Sequence, residues 1–195
     1  MENGVNCTWI EVDEIRRHIL YFSQDNAHID ARTALGHSLN IKIENNWFIN
    51  QTELSKVIFN DRRKMNIYKE IINPEILNEI KRIKSESEWI ILIEWAMLIE
   101  DGMLALTDNN IVLFEDDGEL QMQRLAYSDL GQDEINKRIS FTGWVWFEKR
   151  EKIIKQTQKD RWCWIYCKIK PTLDDEWFKN FFEKILSNYR DYGNK

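Results

Sequence analysis

The chain is poor in the residues that interrupt or crosslink a fold. Its 195 residues include two prolines and seven glycines, so no Pro- or Gly-rich linker divides it. Three cysteines is an odd number without framework spacing; this excludes a disulfide scaffold and fits reduced thiols in a cytoplasm. The longest apolar run, Trp89 to Ile99, is interrupted by Glu94 and falls short of the ~20 residues needed to cross a bilayer. The first residues lack the basic start and apolar core of a secretion signal. Basic excess is lacking too. The formal charge is −6, which argues against general nucleic-acid or anionic-membrane binding. A cytoplasmic protein without an integral membrane segment is therefore expected.

What remains is a globular composition, 43% hydrophobic and 31% charged, in a chain long enough for one large domain or two small ones. Thr8-Trp9-Ile10-Glu11 reads as a capping box, and Trp9, Val12, Ile15, Ile19 and Phe22 follow at helical spacing, predicting a helix over 9–23. Residues 24–37 are polar and show no period. Leu39, Ile41 and Ile43 alternate with polar residues, and Trp47-Phe48-Ile49 returns after Asn45-Asn46, which predicts a short hairpin near 39–49. Asn50 is a good N-cap for a helix over 51–72, whose apolar stripe Asp61 interrupts. Asn73-Pro74 should end that helix and start the next. Ser85 to Glu88 marks a change of composition. The expected organisation is a mainly helical region over 1–85 and a second domain over 86–195.

In that second part, strands are expected at 89–98, 103–107, 110–115, 119–127, 139–147 and 161–169. The final element, opened by Leu173-Asp174-Asp175-Glu176-Trp177, has acidic residues in its first turn, as the helix dipole favours. Trp177, Phe178, Phe181 and Ile185 make it amphipathic. Ala105-Leu106-Thr107-Asp108 followed by Ile111-Val112-Leu113-Phe114 resembles the core motif of bacterial pleckstrin-homology-like or GRAM-like domains. The resemblance covers about residues 86–190. It implies an α+β fold: a helical N-terminal region packed on a bent antiparallel sheet closed by a C-terminal helix. Such domains are binding modules rather than enzymes. The motif departs from the family at Asn109-Asn110, where a basic residue is usual, which argues against binding a phosphate or lipid head group.

Residues that could carry chemistry are few. His28, Asp30 and His37 share one polar segment but lack the spacing of metal ligands on a regular element. Asp61 with Glu79-Ile80-Lys81 matches the letters of a nuclease site, yet positions i and i+2 of a helix point apart. Cys163 and Cys167 alternate with aromatic residues on an expected strand and read as small core hydrophobes. Glu148 to Arg161 carries six basic residues against three acidic ones and reads as a solvated loop. Arg62-Arg63-Lys64 forms a second basic cluster on a helix.

The aromatic pattern is stronger. Trp144 and Trp146 fall on one side of an expected strand, and Trp162, Trp164 and Tyr166 on one side of another. On neighbouring strands these five rings would crowd a single sheet face, a surface suited to anchoring a protein partner. The sequence therefore points to a non-catalytic interaction, scaffold or regulatory protein that binds a protein partner, or a second copy of itself, through Trp144, Trp146, Trp162, Trp164 and Tyr166. Two alternatives stand beside it. One is an immunity or defence-type factor that neutralises a toxin or effector by direct binding. The other is a metal-dependent hydrolase using His28, Asp30 and His37. No catalytic residue, resident metal or cofactor is assigned.

Overall fold

The computed structural model describes residues 7–88, 90–107, 110–114, 131, 150, 152–156, 164–169, 180 and 183. The chain divides into two units, Met1–Asp101 and Gly102–Lys195. The composition change at Ser85–Glu88 lies within the first, at the end of its longest helix.

The first unit begins with strand β1 (Cys7–Glu11). The segment read as a capping box is thus extended chain, and helix α1 spans Val12–Tyr21. Helix α2 (Asn26–Leu39) occupies the stretch that showed no period. Its N-cap is Asp25, whose carboxylate accepts from Ala27 N–H at 2.8 Å. The pattern was hidden because α2 turns His28, Ala31, Arg32 and Gly36 inward with Leu35 and Leu39, so its buried face is not an apolar stripe. Asn40 ends the helix in the left-handed region at φ 55°, a conformation asparagine tolerates. The chain then folds back on itself. A Cβ at Gly36 would lie 2.6 Å from Ile43 Cδ1, so this close return requires glycine. The hairpin near 39–49 is reduced to a single antiparallel bridge, Ile43 to Ile49, around a turn in which Trp47 holds φ 66°.

Asn50 caps α3 (Gln51–Ile58) as expected, accepting from Glu53 N–H at 3.0 Å. Asp61 does more than interrupt a stripe. It ends the expected 51–72 helix by capping a new one, α4 (Arg62–Glu86), through Arg63 N–H at 2.8 Å. Pro74 does not divide α4. Tyr68, Ile72, Ile76 and Ile80 recur every fourth residue and are all buried, and α1, α2 and α3 all pack on α4. Burial along this one face outweighs the ~3 kcal/mol penalty of an internal proline.

After α4 the chain enters β2 (Ile90–Glu94), which pairs with β1 in parallel, Cys7 opposite Ile90 and Glu11 opposite Glu94. Parallel neighbours need a crossover, and here the crossover is the whole helical layer. Thr8 Oγ1 and Ser87 Oγ, 79 residues apart, close it with a 2.7 Å hydrogen bond.

In the second unit, residues Leu104–Thr107 form a 3-10 turn where a strand was expected. Strands β3 (Asn110–Phe114) and β4 (Trp164–Ile169) pair in parallel with an irregularity between Ile111 and Leu113. Residues 152–156 are helical, as are Asn180 and Glu183. The strands expected at 119–127 and 139–147, and most of the closing helix with Trp177, Phe178, Phe181 and Ile185, lie outside the described residues. No helix among the described residues is long and apolar enough to cross a membrane.

Candidate functional site

β1 and β2 point the same way, so their last residues meet at one end. Those residues are Glu11 and Glu94, direct neighbours in the register, on strands roughly 4.8 Å apart. In open α/β sheets this carboxyl end of parallel strands is where ligands bind. The first turn of α1 adds Asp13, and one turn further Arg16 forms an ion pair with it. Three carboxylates and one guanidinium therefore gather at one rim. Glu94 is exposed as a residue, yet partial desolvation raises its carboxyl above its ordinary value, Asp13 and Glu11 push it further, and Arg16 opposes them. Among the described residues, Arg16 Nε, which is shielded from solvent, has no hydrogen-bond partner.

Behind this rim lies a buried layer. Tyr68 of α4 is 6% exposed. Burial raises its phenol strongly, Arg16 opposes that, and Tyr21, Asp13 and Asp101 add to it. The adjacent Lys69 places its Nζ 2.7 Å from Asp101 Oδ1, and the Asp101 side chain is 2% exposed. Trp95, the residue after Glu94, donates its indole N–H to the other oxygen of Asp101 at 3.1 Å.

Within the helical layer, Arg32 is completely buried. Its Nε donates to the Trp47 carbonyl at 2.7 Å and its Nη2 to the Ser23 carbonyl at 2.8 Å; Nη1 donates to the Ile19 carbonyl. The guanidinium also lies 5.1 Å from the Phe48 ring centroid. Burial lowers its pKa. Two of these carbonyls lie at the C-terminal end of α1 and one in the turn at Trp47, so Arg32 is a structural tie between them.

The residues singled out from sequence fare differently. His28 is buried, with Nδ1 2.7 Å from Ser23 Oγ and Nε2 4.0 Å from Glu79, whereas Asp30 and His37 are exposed on the same helix. The three do not converge. Asp61 and Glu79 lie on one helix about 27 Å apart along its axis, and Glu79 is held by Arg82 at 2.9 Å, so the nuclease arrangement does not form. Arg62 and Arg63 are exposed in the first turn of α4. Among the described residues no group of three or more His, Cys, Asp or Glu side chains is placed to hold a metal ion. Trp144, Trp146, Trp162 and Cys163 lie outside the described residues; Trp164, Tyr166 and Cys167 lie on β4.

Sequence reasoning missed the strand-end cluster. Glu11 was read as part of a helix start and Glu94 as an interruption of an apolar run. The available signal was two short apolar runs, Trp9-Ile10 and Ile90 to Ile93, each ending in glutamate.

No family model matches the chain. A dephospho-CoA kinase of Carboxydothermus hydrogenoformans is 32% identical over 96 residues, covering 47% of this chain and 46% of that protein. A dephospho-CoA kinase of Fusobacterium nucleatum is 25% identical over 114 residues, covering 58% of this chain and 51% of that protein. The chain thus spans about half the length of the curated relatives it matches. These relatives overturn the pleckstrin-homology-like, GRAM-like resemblance, which rested on a short and tolerant motif. They also overturn the non-catalytic binding and scaffold reading, because both are named as enzymes.

Proposed function

We propose that this chain belongs to a phosphotransferase of the kinase type, with dephospho-CoA or a close relative as the acceptor. The observation that carries the reading is the pair of strand-end carboxylates, Glu11 beside Glu94, at the carboxyl end of a parallel β-α-β crossover. The likeness to two proteins named dephospho-CoA kinase supports it. A cytoplasmic location accords with such a reaction and with three unframed cysteines.

The chemistry follows from the groups at the rim. Phosphoryl transfer needs an acceptor hydroxyl held in line with the phosphorus and a group to take its proton. Glu94, exposed at the rim with a carboxyl raised by partial desolvation and by Asp13 and Glu11, is more basic than an isolated glutamate and suits that task. Glu11 can accept a hydrogen bond from the acceptor and orient it. Arg16, paired with Asp13 at the rim, supplies positive charge for a phosphate of the acceptor. The donor's polyphosphate is a separate matter. A backbone cradle of the Gly-x-x-x-x-Gly-Lys-Ser/Thr type needs two glycines five residues apart, and no two of the seven glycines have that spacing. No step at the donor phosphates is assigned to these residues.

The test is direct. The full chain is incubated with magnesium ATP and dephospho-CoA, and CoA formation is followed alongside calorimetric binding of dephospho-CoA. The expected result is binding and transfer, with transfer falling at least ~100-fold in Glu94→Gln. Absence of both binding and transfer overturns the reading.

A further inference from the structure

We propose that Asp101 is a positioning residue: with Lys69 and Trp95 it braces the carboxyl end of β2 against α4 and so fixes where Glu94 stands beside Glu11. The inference rests on the reading of the strand ends as the site. The contacts form a continuous chain. Lys69 Nζ lies 2.7 Å from Asp101 Oδ1, Asp101 Oδ2 accepts from the Trp95 indole at 3.1 Å, and Trp95 is bonded directly to Glu94.

The brace is built of groups that do not belong in a core without a reason. A carboxylate that is 2% exposed is expensive to bury unless both its oxygens are satisfied. Here Oδ1 lies 2.7 Å from the Lys69 ammonium of α4 in an ion pair without hydrogen-bond geometry, and Oδ2 accepts from the indole of Trp95, the residue just after β2. Trp95 is itself 7% exposed, so its ring cannot swing away once the N–H is held. The turn between is closed by backbone hydrogen bonds, Leu98 N–H to the Trp95 carbonyl at 3.2 Å and Asp101 N–H to the Met97 carbonyl at 2.8 Å. β2 therefore does not fray at its last residue. Glu94 points from a backbone anchored on one side by pairing with Glu11 and on the other by Trp95.

The experiment reads Glu94 itself, without substrate. Glutamate side-chain carboxyls are labelled with carbon-13 in the full chain, the Glu94 signal is identified by its loss in Glu94→Gln, and its pH titration is followed by NMR. Trp95→Phe removes the indole N–H with no change of charge. If the brace positions Glu94, its carboxyl relaxes away from Glu11 and Asp13 and the titration midpoint falls by about half a pH unit or more. Lys69→Met provides the decisive sign. Loss of a nearby cation by electrostatics alone raises a carboxylate's midpoint, whereas release of the brace lowers it. A folded Trp95→Phe protein with an unchanged Glu94 titration overturns the proposal, as does a raised midpoint in Lys69→Met. Should Lys69→Met fail to fold, Trp95→Phe decides. CoA formation is not part of this readout, so absent transfer would count against the proposed reaction, while an unmoved titration would count against the brace.

Discussion

Replacing Arg32 with methionine keeps the length and most of the packing volume of the side chain and removes the guanidinium. In the native structure that group donates to three carbonyls, those of Ile19, Ser23 and Trp47, and is fully withdrawn from solvent. Each carbonyl left buried without a donor costs about 1–3 kcal/mol, so three set an upper bound near 9 kcal/mol. Two effects reduce it. The native state no longer bears the desolvation of a buried cation, and the Trp47 turn, whose side chain is 52% exposed, can open to water. A net loss of about 3–5 kcal/mol is expected, a large part of the ~5–15 kcal/mol typical of a domain. Urea unfolding followed by far-ultraviolet circular dichroism reads it, with an unchanged slope if the denatured state is the same. Arg32→Lys separates charge from geometry: one ammonium cannot reproduce the planar fork, and about 2 kcal/mol should still be lost. A methionine variant within about 1 kcal/mol of the parent would refute the argument, since the abandoned carbonyls would then not outweigh the relief of the buried charge.

Other substitutions probe other features. Gly36→Ala should destabilise the first unit by about 1–3 kcal/mol, because the new methyl meets Ile43 Cδ1 at 2.6 Å and Cγ1 at 2.9 Å; combined with Ile43→Ala, the loss in thermal denaturation should be less than additive. Trp47→Gly should change stability by less than about 1 kcal/mol, release from a left-handed φ of 66° offsetting the modest burial lost, whereas Trp47→Val should cost more, as β-branched residues tolerate that region poorly. Asp61→Ala should cost about 1 kcal/mol by removing the cap on Arg63 N–H. Glu94→Gln should raise the melting temperature at neutral pH. The folded carboxyl lies above its ordinary value, so protonation favours the native state, parent stability gains as pH falls through that raised range, and the advantage of the variant should shrink accordingly.

Legibility tracked how closely each element obeyed a local rule. The Asn50 cap was readable because its partner is three residues away. β2 was readable as an apolar run. Helix α2 was not, because Arg32 and His28 occupy its buried face and derive their stability from carbonyls and hydroxyls contributed by other segments. Pro74 misled because the rule for proline is local, while the burial of Ile72, Ile76 and Ile80 that overrides it is tertiary. The candidate site is a product of pairing between strands at opposite ends of the first unit, and no window of sequence contains both glutamates. The aromatic alternation that carried the partner reading concerned residues 144–166, of which only Trp164 to Tyr166 are described, as part of β4.

The Thr8–Ser87 hydrogen bond, spanning 79 residues, has a kinetic consequence. Closing a loop of that length costs about 4 kcal/mol in chain entropy before any contact compensates. Helices α1 to α4 make contacts among themselves over shorter spans and can consolidate first. β1 then docks on β2 as a late event, when the helical layer has already brought both strand positions together. The carboxylates Glu11 and Glu94 belong to that last step. A chain with its helices formed and β1 undocked would hold nearly full helical content and no rim at all, so recovery of ligand binding should lag behind recovery of helicity during refolding.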